Sequence, residues 1–431
     1  MFLNITIDNV LGISNEIELN LIAESKRSSK KETVYNISRG LNVNKINGII
    51  GPNASGKSSI LHTIAGIGNF LSEDINMKEL KNCEGSTKNT IVYDISGFLP
   101  KQYDNTRKSK VSMDLYITKG NKPGFYRYSI EYTSNLQEET KVREKLEYKT
   151  KYNNQWEIKS DIEFKEYRSE IGYKCNHYES IANDYKQISE ELYKSFEDKM
   201  QYYKTFYYHY IFCSHSQLSD DFITPISELY LECWLEQDEA MVNKIIRYID
   251  KKVNKIYLKK IEDSEIIKVD TVENKMIDFY DLSQGTRKFL MFMYSVIRVI
   301  QNEGILICDE IENSLHIDLV RFILKMFKID NNASQIIYTA NTESAMDEKI
   351  IRKDQINIIE RENGILKIIK FSEIARRNDT SFNRAYSSKS ICKQQPDDEE
   401  INRFISEFDI SKIKKYGKMQ YIMKPVKKWL F

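Results

Sequence analysis

Residues 46–58, INGIIGPNASGKS, constrain this chain more than any other stretch. INGII reads as a buried strand, and it runs straight into Gly51-Pro52-Asn53-Ala54-Ser55-Gly56-Lys57-Ser58, which matches G-x-x-x-x-G-K-[ST] in full. Glycines let the backbone curl so that successive N–H groups face an anion, and a following helix adds its positive end. Ser59 to about Leu71 reads as that helix. Asn53, Ala54, Ser55, Gly56, Lys57, Ser58 and Ser59 are therefore the candidate phosphate-binding residues. Lys57 would reach the β- and γ-phosphates of a nucleotide, and the Ser58 hydroxyl would coordinate Mg²⁺. A chance Gly/Ser loop would lack the strand before it and the helix after it.

A strand feeding a phosphate loop needs a sheet, and the pattern supplies one. Residues 1–23 alternate as a strand pair with a turn near Gly12, and the strings VSMDLYI, FYRYSIEY, EKLEYKT and QWEIK between residues 90 and 158 read as an antiparallel meander, with IVYDI before them. From about 163 to 260 the pattern turns helical: Ile181, Tyr185, Ile188, Leu192 and Phe196 follow 3–4 spacing, and 228–258 reads as further amphipathic helix. Beyond residue 275 helix and strand alternate, as in a parallel α/β sheet. The helix follows LSQGT, the strands are GILICD and SQIIYTA, a helix spans 315–328, and INIIERENGILKII forms a strand pair. The resulting division is an N-terminal lobe (1–162), a helical insertion (163–260), a C-terminal lobe (261–390) and a basic end segment (391–431).

Two further motifs carry chemistry. GILICDE is an apolar run ending in two acids, so a buried strand would deliver Asp309 to the sheet's edge as a Mg²⁺ ligand. Glu310, one residue on, could take a proton from an attacking water. Leu282-Ser283-Gln284-Gly285-Thr286-Arg287 is a Ser/Gly turn opening a helix, which offers hydroxyl and N–H donors to an anion; alone it is also an ordinary helix cap.

Phosphate loop, long insertion, L-S-x-G turn and hydrophobic-Asp-Glu, in that order, resemble the ABC-type ATPases. Arg287 and Lys288 after the turn resemble the SMC-like and break-repair branch. GISNEIELNLIA, FYRYSIEY with EKLEY, DEIENSLH and Arg352-Lys353-Asp354-Gln355-Ile356 look like the SMC-related AAA-family ATPases of bacterial anti-phage systems, such as AbiL-like abortive-infection proteins and the PARIS ATPase AriA. The resemblance implies an α/β, ABC-type P-loop head with an antiparallel β lobe, a mixed or parallel core sheet and a helical insertion. It implies ATP and Mg²⁺ as cofactors, and a homodimer or higher homo-oligomer in which Ser283, Gln284 and Gly285 of one subunit meet ATP on the other. Asn313 to His316 would then resemble the segment crossing that interface. The implied role is an ATPase controlling a separately encoded effector protein. The chain departs from the family at Asn341, where a switch histidine is usual; asparagine can hydrogen-bond phosphate or water but holds no imidazolium proton. Slow turnover follows as an expectation. Gln102 is the nearest candidate for the family's Q-loop.

Composition narrows the alternatives. The 431 residues suit two or three packed units, and 64 basic residues against 63 acidic ones leave a net charge of +1, so no whole-chain field draws in nucleic acid or membrane. Six scattered cysteines without a C-x-x-C pair speak against a disulfide scaffold or structural zinc. The opening MFLNITIDNV lacks a signal peptide's pattern, and no apolar stretch nears the roughly 20 residues of a membrane helix, so a cytoplasmic protein is expected. The five histidines lack metal-ligand spacing and read as structural. The aromatic cluster at 202–212 reads as core or interface, with base stacking the alternative. Seven lysines and no acid between Lys412 and Trp429 could meet nucleic acid or an acidic partner, or form a solvated helix face. A DNA-processing ATPase of the SMC or recombination kind is therefore the alternative function.

Overall fold

The computed structural model describes residues 1–24, 31–67, 100–118, 124–134, 139–167, 225–261, 264–301, 303–313, 315–328, 332–342, 345–375 and 381–387. The chain divides into two units, Met1–Lys393 and Gln394–Phe431, and the second lies wholly outside the described residues. The basic tail, the aromatic cluster at 202–212, IVYDI and the helical face from Ile181 to Phe196 are likewise outside them.

Strands β1 (Phe2–Asp8) and β2 (Ile17–Asn20) pair antiparallel, as their alternation indicates. A short hairpin, β3 (Val34–Ser38) and β4 (Leu41–Asn44), turns at Gly40 and leads into β5 (Ile46–Ile50). All five residues of β5 are buried, the signature of a strand covered on both faces. Helix α1 follows at residues 57–67. The meander is β6 (Ser109–Ile117), β7 (Gly124–Ser134), β8 (Glu139–Lys149) and β9 (Glu157–Tyr167), giving a six-stranded sheet in the order β2-β1-β6-β7-β8-β9.

Helix α2 (Pro225–Ile249) bends at Asp238, whose backbone is non-helical. It ends earlier than the pattern suggested. Residues 253–258, read as helix, belong to strand β10 (Val253–Ile261), which pairs with β11 (Ser264–Thr271) and through it with β12 (Met276–Asp278). Strand β9 also runs across the 162/163 boundary drawn from the sequence. Helix α3 (Gln284–Gln301), β13 (Ile305–Cys308), α4 (Ile317–Met326), β14 (Gln335–Ala340), β15 (Ile356–Glu362) and β16 (Ile365–Lys370) complete the alternation, followed by two short helices, α5 (Phe371–Ile374) and α6 (Phe382–Ser387). Among the described residues no helix is long and apolar enough to cross a membrane.

The core sheet has the order β13-β14-β5-β15-β16. Its first four strands are parallel, and β15–β16 is an antiparallel hairpin. Asn363 and Gly364 turn that hairpin with φ of 50° and 83°, as a two-residue turn matching strand twist requires. Successive side chains alternate between two cores. Ile305 and Ile307 of β13 pack with Ile60, Leu61, Ile64 and Ile67 of α1 and with Ile5, Ile7, Val111 and Met113 of the antiparallel sheet. Leu306 and Cys308 face the other way, into a core with Leu235, Ile246, Phe289, Met293, Ile323 and Leu324 of α2, α3 and α4. The α/β class and the mixed core sheet agree with the sequence reading.

A buried clasp ties the start of the chain to the end of the core sheet. Arg352 donates from Nε and Nη2 to the two Asp354 carboxylate oxygens at 2.9 and 3.0 Å, and from Nη2 to the Glu24 carbonyl at 2.9 Å. Asp354 also accepts the Glu24 N–H at 2.9 Å, and Gln355 donates to the Thr33 carbonyl at 2.9 Å. Burial holds the nearby Lys370 ammonium below the usual lysine range. Removing one partner would strand a guanidinium that is 5% exposed. Asp354→Ala is expected to lower unfolding free energy by about 3–5 kcal/mol in urea titration, the cost of leaving a buried charge unpaired.

Candidate functional site

Parallel pairing puts the carboxyl ends of β13, β14 and β5 on one edge, where Ala340 pairs with Ile50 and Cys308 with Tyr338. That edge is where open α/β sheets bind ligands. Three segments emerge there: the phosphate loop after Ile50, the acids after Cys308, and Asn341 after Ala340.

The loop is built around strained and space-limited backbone. Ala54 and Gly56 have φ of 60° and 109°. A Cβ on Gly51 would lie 2.7 Å from the Ile359 carbonyl oxygen, and one on Gly56 would lie 2.5 Å from Leu366 Cδ1. Both glycines are thus imposed by the β15–β16 hairpin packed against the loop. The Ile60 N–H donates to the Gly56 carbonyl at 3.2 Å, starting α1 with its amino end at the loop. Asn53 and Ala54 are exposed, Ser55 is buried with no hydrogen-bond partner for its Oγ, and Ser58 and Ser59 are half-buried. Lys57 is 6% exposed and folds over its own loop, donating to the Gly51 carbonyl at 2.8 Å and the Pro52 carbonyl at 3.0 Å.

The acidic strand end is organised from β14. Thr339 donates its hydroxyl to Asp309 Oδ1 and accepts the Glu310 N–H at 2.7 Å. Glu310 has φ of 50°, a left-handed backbone, and its Oε1 accepts from Asn341 Nδ2 at 3.0 Å. The Asn341 N–H donates to Glu312 Oε1. Burial raises the Glu312 carboxyl above the usual range, opposed by that N–H bond and reinforced by the neighbouring Glu310. His62 Nε2 lies 3.8 Å from Asp309 Oδ2, so α1 and β13 meet through a titratable pair.

The structure therefore gathers Asp309, Glu310 and Asn341 into one bonded group and links it to the phosphate-loop helix through His62. Ser283 is exposed at the amino end of α3; its Oγ accepts the Thr286 N–H at 3.1 Å and pairs with Thr286 Oγ1 at 2.7 Å. Thr286 Oγ1 donates in turn to Asp250 at 3.4 Å. Gln284 and Gly285 form the first turn of α3. The bonds of Ser283 thus run within its own turn. Gln102 donates from its amide to the Arg107 carbonyl at 2.7 Å and to the Tyr132 carbonyl at 3.4 Å. In the 313–316 segment, the Asn313 N–H donates to the Glu310 carbonyl at 2.8 Å, and His316 caps α4 by accepting the Asp318 N–H.

Sequence reading missed His62, Thr339 and Glu312. His62 stands four residues after Ser58, on the same face of α1, and that spacing was a usable signal. Thr339 and Glu312 gave none, because their partners are set by strand register.

The site fits a nucleotide phosphate chain with Mg²⁺. The buried Ser55 hydroxyl, which has no hydrogen-bond partner, and the amino end of α1 are the loop's groups open to an anion. Among the described residues no group of three His, Cys, Asp or Glu side chains could hold a metal. Asp309 and Ser58 offer a carboxylate and a hydroxyl, oxygen donors of the kind Mg²⁺ takes beside phosphate.

Fold and site define an α/β P-loop protein. Residues 236–339, from α2 to β14, match the family described as "AAA domain, putative AbiEii toxin, Type IV TA system". No curated protein matches the sequence significantly. Solved structures similar to this chain include the SMC head domain from Thermotoga maritima, with TM-score 0.36 and 12% identity over 86% of this chain and 98% of that one. A second is an SMC head bound to the C-winged helix domain of ScpA, with TM-score 0.39 and 11% identity over 89% of this chain and 99% of that one. A third is an SMC head with an extended coiled coil bound to the C-terminal domain of ScpA derived from Pyrococcus furiosus, with TM-score 0.38 and 11% identity over 90% and 98%.

Proposed function

We propose that this chain is an ATPase that binds ATP on the 51–59 loop and hydrolyses it with Glu310 as general base. The observation that carries the reading is the bond from Asn341 to Glu310 at the edge where the phosphate loop emerges. Asn341 holds one Glu310 oxygen in place; the carboxylate takes a proton from a water whose oxygen bonds to the γ-phosphorus as the bond to the β–γ bridging oxygen breaks and ADP leaves. Lys57 exchanges its two loop carbonyls for β- and γ-phosphate oxygens, so a bound anion releases a cation already desolvated. Loop N–H groups and the amino end of α1 add further donors. Ser58 and Asp309 would hold Mg²⁺, which neutralises charge developing on the phosphates. Asn341 carries no proton that an imidazolium could give, which supports slow turnover.

The exposed Ser283 at the start of α3 supports a homodimer in which Ser283, Gln284 and Gly285 reach ATP on the partner. The match to a family described as a toxin–antitoxin component supports a role in anti-phage defence, with this ATPase governing a separate effector, as in AbiL-like and PARIS-type systems.

In Mg-ATP, Glu310→Gln is expected to bind ATP like the wild type, release phosphate about 100-fold more slowly and sediment as a dimer, whereas Lys57→Ala loses binding. Unchanged phosphate release in Glu310→Gln would sink the catalytic assignment. In host cells with the neighbouring genes, wild type is expected to reduce phage plaque numbers and Lys57→Ala to restore them. Equal plaque numbers would remove the defence role.

A further inference from the structure

Thr339 is completely buried in β14, and the reading above gives it no part. Its hydroxyl makes two bonds of opposite sense, donating to Asp309 Oδ1 and accepting the Glu310 N–H at 2.7 Å. Its main-chain carbonyl accepts the Ile311 N–H at 3.1 Å. One residue of the neighbouring strand thus grips three consecutive residues beyond β13.

A strand does not require this hydroxyl. Valine has the same branched shape and the same preference for a buried strand, so packing alone would be served by either residue. What valine lacks is a group that donates and accepts at once. A hydroxyl has one hydrogen; once it is given to Asp309, a lone pair is left for the Glu310 N–H. The first bond occupies Oδ1 of Asp309 and leaves Oδ2, the oxygen facing His62 at 3.8 Å. The second supports the left-handed backbone of Glu310, which turns that side chain to Asn341 at 3.0 Å.

We infer that Thr339 is a positioning residue whose hydroxyl sets Asp309 and Glu310 together, so that the metal-facing carboxylate and the general base are placed by one group. The inference rests on the ATPase reading above. Losing the hydroxyl would remove the donor to Asp309 Oδ1 and the acceptor of the Glu310 N–H, degrading both positions at once.

The test compares wild type with Thr339→Val, Thr339→Ser and Thr339→Ala in the full chain. Thermal unfolding, ATP affinity in EDTA and in Mg²⁺, kcat and KM are measured. Thr339→Val is expected to bind ATP in EDTA as the wild type does, but to lose the gain in affinity on adding Mg²⁺ and to fall in kcat, each roughly 10- to 100-fold, with Thr339→Ser restoring both. Should the valine chain not fold, the serine and alanine chains still differ by the hydroxyl alone, and serine must then exceed alanine in both readouts. Equal Mg²⁺ response and kcat in the valine chain, or a serine chain no better than alanine, would overturn the inference. A wild type that binds no ATP or never releases phosphate would instead sink the ATPase reading itself. The two failures are separable.

Discussion

The parallel pairing of β13, β14 and β5 is the constraint on which the site depends. Parallel strands end on the same edge, so the loop after Ile50, the acids after Cys308 and the amide of Asn341 are delivered together although they lie far apart in the chain. Burial on both faces fixes this register, because a one-residue slip would exchange the two cores along the whole strand. Ile307 would then leave the α1 side for the α3 side, and Cys308 the reverse. Site geometry and core packing are one constraint expressed twice.

The site is also held under small, local tensions. Glu310 is left-handed without being glycine, Ala54 likewise, and Glu312 is a carboxylate pushed upward by burial beneath Asn341. Such features persist only where surrounding bonds over-determine them. For Glu310 and Glu312 those bonds come from Thr339 and from Asn341. Lys57 is the complementary case, a buried cation satisfied by two carbonyls of its own loop. A phosphate chain carries more negative charge than a carbonyl pair and would compete for that lysine.

Much of this was legible in the sequence, for identifiable reasons. The strand–loop–helix at residues 46–67 was readable because its glycines stand at fixed positions between an apolar run and a helix start, and β5, β13 and β14 because doubly covered strands are apolar runs. The Ser283 turn was readable as a helix start, which it is. The β10–β12 sheet was not: VNKIYLKKI alternates over too short a window to be told from an amphipathic helix, and it follows a true helix after a three-residue break. Thr339 was hidden because a β-branched residue in a buried strand looks like packing. Its chemistry depends on a neighbour whose register the sequence does not print. Fold class therefore emerged from periodicity, whereas the bonds that place the acids emerged only from coordinates.

If one sheet edge binds ATP between Lys57 and the acid pair, a crystal structure of the Glu310→Gln chain grown with Mg²⁺ and ATP will show it. The phosphates are expected on the 51–59 loop, with Lys57 drawn off the Gly51 and Pro52 carbonyls onto them and Mg²⁺ held by Ser58 and Asp309. Nucleotide bound elsewhere, or a loop-bound phosphate chain with Lys57 still on its own carbonyls, would contradict it.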